Sequence, residues 1–134
     1  MSKSLAYLFV LAFLVGGCEL LGSSGLGRVL FATDKPTYKS GERIQTVLVN
    51  ISRTELRTGA CVKSIEGLND GAWSTLYKPG LCESSQLVLG PGGSFTFSAP
   101  TKDLTPAEEY RVTKTVEAGG KSHTIESNHF TLSE

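Results

Sequence analysis

The chain has 134 residues, enough for one domain of ordinary size and a short additional segment. Thirteen lysine and arginine residues balance thirteen aspartate and glutamate residues, so the charge gives no case for nucleic acid binding. Frequent glycine, with serine and threonine spread along the chain, suits many short strands joined by turns.

The first 18 residues have the plan of an export signal. Lys3 lies in a short polar start, residues 5–15 form an unbroken apolar run, and Gly16 and Gly17 follow. Such a run reaches roughly 16 Å as a helix, about half of a hydrocarbon core of ~30 Å. The segment is therefore too short for a transmembrane helix and is predicted to be a leader.

Residues 15–18, Val-Gly-Gly-Cys, resemble the lipobox of bacterial lipoproteins. In that family the cysteine carries lipid and becomes the first residue of the mature protein. The resemblance implies a signal peptide over residues 1–17, lipid on Cys18 and an effectively permanent membrane anchor. Glu19 stands where Asp often marks inner-membrane retention, which favours the outer membrane in a cell with two membranes. An ordinary secretory leader with a chance cysteine is the alternative.

Residues 18–27 are predicted to form the lipidated cysteine and a flexible tether. Residues 19–27 read ELLGSSGLG, and a coil of this length spans on the order of 15 to 18 Å. The domain over residues 28–134 is therefore expected to lie close to the membrane surface.

Two further cysteines, Cys61 and Cys82, are predicted to form one disulfide in an oxidising compartment. Two free buried thiols are the alternative. No cysteine and histidine spacing suggests zinc. Lipidation of Cys18 also accounts for the odd number of cysteines.

Alternation of apolar and polar residues predicts strands through the rest of the chain. The apolar residues that share a face are, in chain order, Val29 and Phe31; Val47, Val49 and Ile51; Leu87 and Leu89; Phe95 and Phe97; Tyr110, Val112 and Val116; and Phe130 and Leu132. Residues 61–68 alternate poorly and are predicted as a further strand. Turns are predicted at residues 69–71 and 119–120, and one helical turn at most at residues 106–109.

Seven or eight short antiparallel strands over residues 28–134 predict an all-β fold, an immunoglobulin-like β-sandwich. A small barrel is the alternative. Trp73 is expected to fill the core between the sheets. The Cys61–Cys82 pair does not match the inter-sheet bridge of antibody domains, because Cys82 comes too early in the chain. It is expected to staple a loop to a neighbouring strand.

Residues 33–42, T-D-K-P-T-Y-K-S-G-E, resemble the opening of bacterial Ig-like domains. Three further landmarks follow in order, at residues 71–73 (G-A-W), 91–94 (P-G-G-S) and 110–111 (Y-R). The resemblance implies an Ig-like domain over nearly the whole mature chain. In it, Gly41 permits a turn after the first strands, and Tyr110 bonds back to upstream backbone as a tyrosine corner.

The same opening is similar to the macroglobulin domains of α2-macroglobulin, a family in which some bacterial members are lipoproteins and trap proteases. This chain is far too short to be such a protein. It also lacks the Cys-x-Glu-Gln thioester, because Cys82 is followed by Glu-Ser-Ser-Gln. The shared motif is therefore interpreted as a structural corner and not as a sign of protease trapping.

No catalytic, cofactor or metal site is predicted. His123 and His129 are expected on one face of a hairpin, with Glu126 on the opposite face, which leaves a metal ion without a third ligand. Glu108 and Glu109 are adjacent, so their side chains diverge and cannot act as a catalytic pair. No nucleophile elbow or phosphate loop occurs.

The sequence favours a non-catalytic, membrane-anchored binding or structural module of the bacterial cell envelope, with a protein or glycan partner. Trp73 and Tyr77 could offer that partner an exposed aromatic platform, although aromatic residues on one face of a strand are more often buried in the core. An extracellular protease inhibitor is the alternative function. Its inhibitory loop would have to lie in the disulfide-closed stretch over residues 69–82.

Overall fold

A computed structural model describes residues 28–82 and 85–134. These residues form eleven strands: β1 Val29–Thr33, β2 Thr37–Lys39, β3 Ile44–Asn50, β4 Leu56–Gly59, β5 Ser64–Asn69, β6 Ala72–Tyr77, β7 Gln86–Leu89, β8 Ser94–Ala99, β9 Glu109–Ala118, β10 Lys121–Glu126 and β11 Thr131–Ser133. The predicted signal peptide, Cys18 and the tether lie outside the described residues. Within the described part, no helix is long and apolar enough to cross a membrane.

Two antiparallel sheets enclose the core. The first has the order β1-β3-β8. The second is built around the long strand β9, which pairs with β10 along one edge. Its other edge pairs first with β5 and then with β4, and these two strands are extended by β6 and β7 respectively. A short parallel pair, β2 with β11, completes the fold.

The inner faces of both sheets meet in one apolar core. The buried apolar side chains include Val29, Phe31, Ile44, Leu48, Leu56, Ile65, Phe97, Val112, Val116 and Ile125. On β3 the buried face also carries Thr46 and Asn50, while Val47 and Val49 are only partly buried. The Thr46 hydroxyl donates to the Phe97 carbonyl, and the Asn50 amide donates to the carbonyl of Leu89. Both polar groups are therefore buried with partners, as burial requires.

The all-β, immunoglobulin-like sandwich predicted from the sequence is confirmed, with eleven strands in place of the predicted seven or eight. The weakly alternating stretch 61–68 becomes a strand only from Ser64, because residues 60–63 leave the ladder between β4 and β5. Residues 106–109 do not form a helical turn. The Glu108 N–H instead donates to the Leu68 carbonyl, which holds this segment extended along β5.

Trp73 does not lie between the sheets, so its prediction as the core residue was wrong. Ile65 of β5 faces the core, which turns Leu68 and its cross-strand partner Trp73 toward the outer face. The aromatic part of the core near the opening motif is instead formed by Tyr38, Tyr110 and Phe130. The rings of Tyr38 and Tyr110 lie 5.5 and 5.6 Å from that of Phe130.

Candidate functional site

The outer face of the second sheet carries a cluster of charged and aromatic side chains, here called the outer-face cluster. Its members are Glu66, Trp73, Glu109, Arg111, Glu126 and His129. Alternate residues of a strand point to one face. β5, β6, β9 and β10 therefore bring these side chains together although they are distant in sequence.

Arg111 lies at the centre of the outer-face cluster. Its guanidinium stacks on the Trp73 ring, 4.0 Å from the ring centroid. Its Nε donates to the Glu66 carboxylate at 2.7 Å, and its Nη1 donates to the Glu126 carboxylate at 3.1 Å. The side chains of Arg111 and Glu66 are only 16% and 21% exposed, so this pair is better shielded than most surface ion pairs.

His129 extends the outer-face cluster beside Trp73. Its Nδ1 lies 3.0 Å from the Glu109 carboxylate, and its ring centroid lies 4.8 Å from that of Trp73. The prediction that His129 shares a hairpin face with His123 was wrong, because the register with β9 shifts by one residue between Glu126, which pairs with Thr113, and Phe130, which pairs with Tyr110. Among the described residues, no group of three histidine, cysteine or acidic side chains is arranged to hold a metal ion.

Trp73 and Tyr77 do not form a shared platform. Arg111 covers the face of the Trp73 ring, whereas Tyr77 opposes Ile65 and packs against the core. A β-bulge at this point of the β5–β6 pair sends the two aromatic side chains to different faces. The cluster therefore offers a partner charged groups and a ring edge, and not an open aromatic surface.

The predicted disulfide between Cys61 and Cys82 is present in the structure, with Cα atoms 6.1 Å apart. Cys61 lies in the break between β4 and β5, and Cys82 lies in the segment between β6 and β7. The bond therefore joins two segments outside the strands, and not a loop to a strand as predicted. The adjacent Leu81 is completely exposed.

Lys114 is a buried residue that the sequence analysis did not single out. Its side chain faces the core between Val112 and Val116 and is 1% exposed. Its Nζ donates to the carbonyl oxygens of Gly59 and Cys61. It also lies 4.1 Å from the Phe97 ring centroid.

Burial lowers the Lys114 pKa to about 8. The ammonium group binds one carbonyl at the end of β4 and one in the break between β4 and β5. One sequence signal could have revealed Lys114. The alternation of β9 predicts an apolar residue at this position, and the chain has a lysine there.

The motif over residues 33–42 forms a corner. The buried Tyr38 donates its hydroxyl proton to the Asp34 carboxylate. Burial, followed by the contact with Asp34, raises the pKa of Tyr38 to about 12. Gly41 has a φ of +92°, and its N–H donates to Thr101 Oγ1 at 2.8 Å. These contacts are internal, so the motif serves the fold.

Tyr110 makes the hydrogen bonds of a tyrosine corner. Its hydroxyl accepts from the Ala107 N–H at 2.9 Å and donates to the Thr105 carbonyl at 3.2 Å. The ring is buried against Phe130, so the hydroxyl fixes the approach to β9 while the ring joins the core.

A family model described as a bacterial Ig-like domain matches residues 26–131 of the chain. The match runs from just before β1 to the first residue of β11. It includes the motif over residues 33–42, the outer-face cluster and the disulfide. No curated protein matches the chain.

Proposed function

The chain belongs to the bacterial Ig-like domain family, and from that premise we propose that it is a non-catalytic module of the cell envelope, held at a membrane by lipid on Cys18. Ig-like domains of this family are structural and binding modules. Their sheets form a rigid scaffold on which loops, edges and outer faces are presented to partners.

The observation that carries the proposal is the use of the three cysteines. Cys61 and Cys82 are paired in the disulfide, a bond typical of exported proteins. Cys18 is thereby left over, and it follows an apolar run and the lipobox-like residues 15–17. Lipid on Cys18 gives each cysteine of the chain a role.

The mass of the intact protein tests the anchor. Protein extracted in detergent is expected to begin at Cys18 and to carry the mass of a diacylglyceryl group. It is expected to gain about two daltons on reduction as one S–S bond becomes two thiols. The matched control is Cys18→Ser, which should carry no added lipid mass and retain the reducible bond. A wild-type chain that starts elsewhere, or carries no lipid, would refute the anchor.

A partner is expected at the outer-face cluster. The three glutamates there exceed the charge of Arg111, so a surface with basic groups suits it. Cross-linking in intact cells should recover such a protein or glycan from the wild type. Recovery should fall with Glu126→Gln, because that side chain is half exposed, and should be unchanged with Glu55→Gln, which lies away from the cluster.

Protease inhibition is the second candidate function, favoured by one observation. Leu81 is fully exposed, and the next residue, Cys82, is fixed by the disulfide. Most of the predicted inhibitory stretch 69–82 is the β5–β6 hairpin, so the exposed loop is residues 78–82.

A leucine presented on this loop suits a protease with an apolar specificity pocket. Stoichiometric inhibition of a chymotrypsin-like protease, lost in Leu81→Asp and kept in Val88→Asp, would support this function. No inhibition, or simple cleavage of the loop, would exclude it.

A further inference from the structure

The outer face of the first sheet is apolar, although a sheet face that meets solvent normally carries polar residues. Two cross-strand pairs form this face, here called the apolar face: Leu30 with Val49, and Ala32 with Val47. They point away from the core because Phe31 and Leu48, which alternate with them along β1 and β3, face inward. Leu30 is buried, and the other three side chains are partly exposed. The apolar face is therefore open to a partner.

An exposed arginine stands at each end of the apolar face. Arg28 directly precedes β1, and its carbonyl accepts from the Ile51 N–H, which continues the ladder with β3. Alternation then places the Arg28 side chain on the apolar face. At the other end, Arg43 precedes β3, and its guanidinium donates to the hydroxyl of Ser98 on the outer side of β8. Both cations therefore border the apolar residues.

The two faces of the sandwich differ in charge. The strands β1, β3 and β8, which the structure describes in full, contain neither aspartate nor glutamate. The acidic residues beside them in sequence, Asp34 and Glu42, are hydrogen-bonded to Tyr38 and Lys35 respectively. The apolar face thus carries positive charge from its two arginines. The outer-face cluster on the other sheet has three glutamates around one arginine.

The predicted anchor is close to the apolar face in sequence. Nine residues separate Cys18 from Arg28, and a chain of that length reaches at most about 30 Å. The chain enters the domain at Arg28, on the apolar face itself. A short tether raises the effective concentration of the domain at the bilayer to the millimolar range, so a contact too weak to bind from solution is sufficient.

We propose that the apolar face lies on the surface of a bilayer that contains anionic phospholipids. This inference rests on the proposed anchor at Cys18. Arg28 and Arg43 bind the headgroup phosphates, to which the planar guanidinium donates two parallel hydrogen bonds, and the valines of β3 lie against the interface. In this orientation the outer-face cluster points away from the membrane, where a partner can reach it.

The test supplies the anchor chemically. Residues 18–134 contain all eleven strands and the disulfide, so the thiol of Cys18 alone is free to react. It is coupled to a maleimide-headgroup lipid in vesicles of phosphatidylcholine and phosphatidylglycerol. Failure of docking is thereby separated from failure of the anchor, because the domain is tethered here whether or not cells attach lipid to Cys18, and the intact mass reports the latter.

Tryptophan fluorescence reports which face meets the bilayer. Trp73 is the only tryptophan of the chain, so Thr96→Trp and Thr115→Trp are each made with Trp73→Phe. Both threonines are exposed: Thr96 lies opposite Val47 beside the apolar face, and Thr115 lies on the outer face of the second sheet. A lipid with a nitroxide on its headgroup should quench Thr96→Trp several-fold more strongly than Thr115→Trp.

Charge reversal tests the two arginines. Arg28→Glu together with Arg43→Glu should abolish the difference in quenching, because the face then repels anionic lipid. The matched control is Lys63→Glu with Lys78→Glu, which changes the net charge equally at exposed positions elsewhere and should preserve the difference. Equal unfolding midpoints would show that both double variants are folded.

Equal quenching of the two tryptophan variants, or stronger quenching of Thr115→Trp, would overturn the proposal. A difference that survives reversal of both arginines, or that is as large in vesicles of phosphatidylcholine alone, would overturn it as well. The uncoupled chain is expected to sediment as a monomer. A dimer that Val47→Lys dissociates would assign the apolar face to a second copy in place of the bilayer.

Discussion

The buried side chain of Lys114 supplies hydrogen bonds to the backbone where the second sheet is interrupted. The break between β4 and β5 leaves the carbonyls of Gly59 and Cys61 facing the core, and the ammonium group of Lys114 binds both. A buried ammonium loses hydration, and this loss lowers its pKa to about 8. The residue therefore satisfies the backbone while making the fold sensitive to pH.

The free energy of unfolding is expected to rise by about 1 to 2 kcal/mol between pH 8 and pH 10. The Lys114 pKa is near 8 in the folded chain and near 10.5 in the unfolded chain. The unfolded state therefore binds more protons in this range, and stability increases with pH. Urea unfolding at a series of pH values measures the effect. Lys114→Met should abolish the rise, and a rise that survives this substitution would contradict the assignment.

Ionisation of Tyr38 should make the free energy of unfolding fall again at higher pH. Its pKa is about 12 in the folded chain and about 10 when unfolded. Between these values the unfolded state loses its proton first, so the free energy of unfolding falls as pH rises. The same titration should therefore show a maximum near pH 10, and Tyr38→Phe should remove the decline on the alkaline side.

At the scale of the element, the hairpin of β5 and β6 depends on a glycine. A Cβ on Gly67 would lie 2.5 Å from Leu76 Cδ1 and 2.8 Å from Ala107 Cβ. The Leu76 side chain can move, but Ala107 is held in place by the hydrogen bond from its N–H to the Tyr110 hydroxyl. Gly67 thus lets this segment pack closely on the hairpin.

Gly67→Ala is expected to lower the free energy of unfolding by about 1 to 3 kcal/mol, because the added methyl group overfills the packed space. Gly59→Ala in β4 is the matched control, since its Cβ would meet no atom within 4 Å. It should change stability by no more than about 0.5 kcal/mol. Chemical denaturation of the two variants measures both values, and equal losses would contradict the close contact at Gly67.

The strands were easier to predict than the faces that they bury. Tyr110, Val112 and Val116 alternate cleanly, and they lie in the core as this pattern predicts. On β3 the buried face instead includes Asn50, because its amide donates to the carbonyls of Thr54 and Leu89. The alternation of residues along β3 does not reveal these partners. Trp73 was placed wrongly for a related reason. Its size suggested the core, whereas its register with Leu68 places it outside.

The outer-face cluster could not be predicted, because its members come from four strands and the segment after β10. Arg111 and Glu66 are 45 residues apart in sequence, and only the register of β5 with β9 brings them together. The disulfide was predictable, because two cysteines that follow a segment with the plan of an export signal are expected to pair. The family motif was also recognisable, since its contacts are local to residues 33–42.

At the scale of the whole molecule, the disulfide limits how far the chain can expand when it unfolds. It links residues 21 apart. Closing a loop of this length is worth about 3 kcal/mol in the chain-entropy model. It joins two segments that both lie outside the strands, so the folded sandwich itself does not depend on it for its topology.

Replacing both cysteines by alanine should lower the free energy of unfolding by about 3 kcal/mol and leave the β-sheet circular dichroism spectrum unchanged. Urea unfolding of the wild type with and without reductant should show the same loss. An unchanged midpoint on reduction would mean that the unfolded chain gains no freedom when the bond is opened.

The parallel pairing of β2 with β11 has a mechanical consequence. Thr37 lies opposite Thr131 and Lys39 opposite Ser133, so the chain enters β2 at one end of the pair and leaves β11 at the other. A pulling force applied between the two ends of the domain loads these hydrogen bonds in shear, all at once, and does not unzip them one by one. The pairing of β2 with β11 therefore resists stretching of the domain between its two ends.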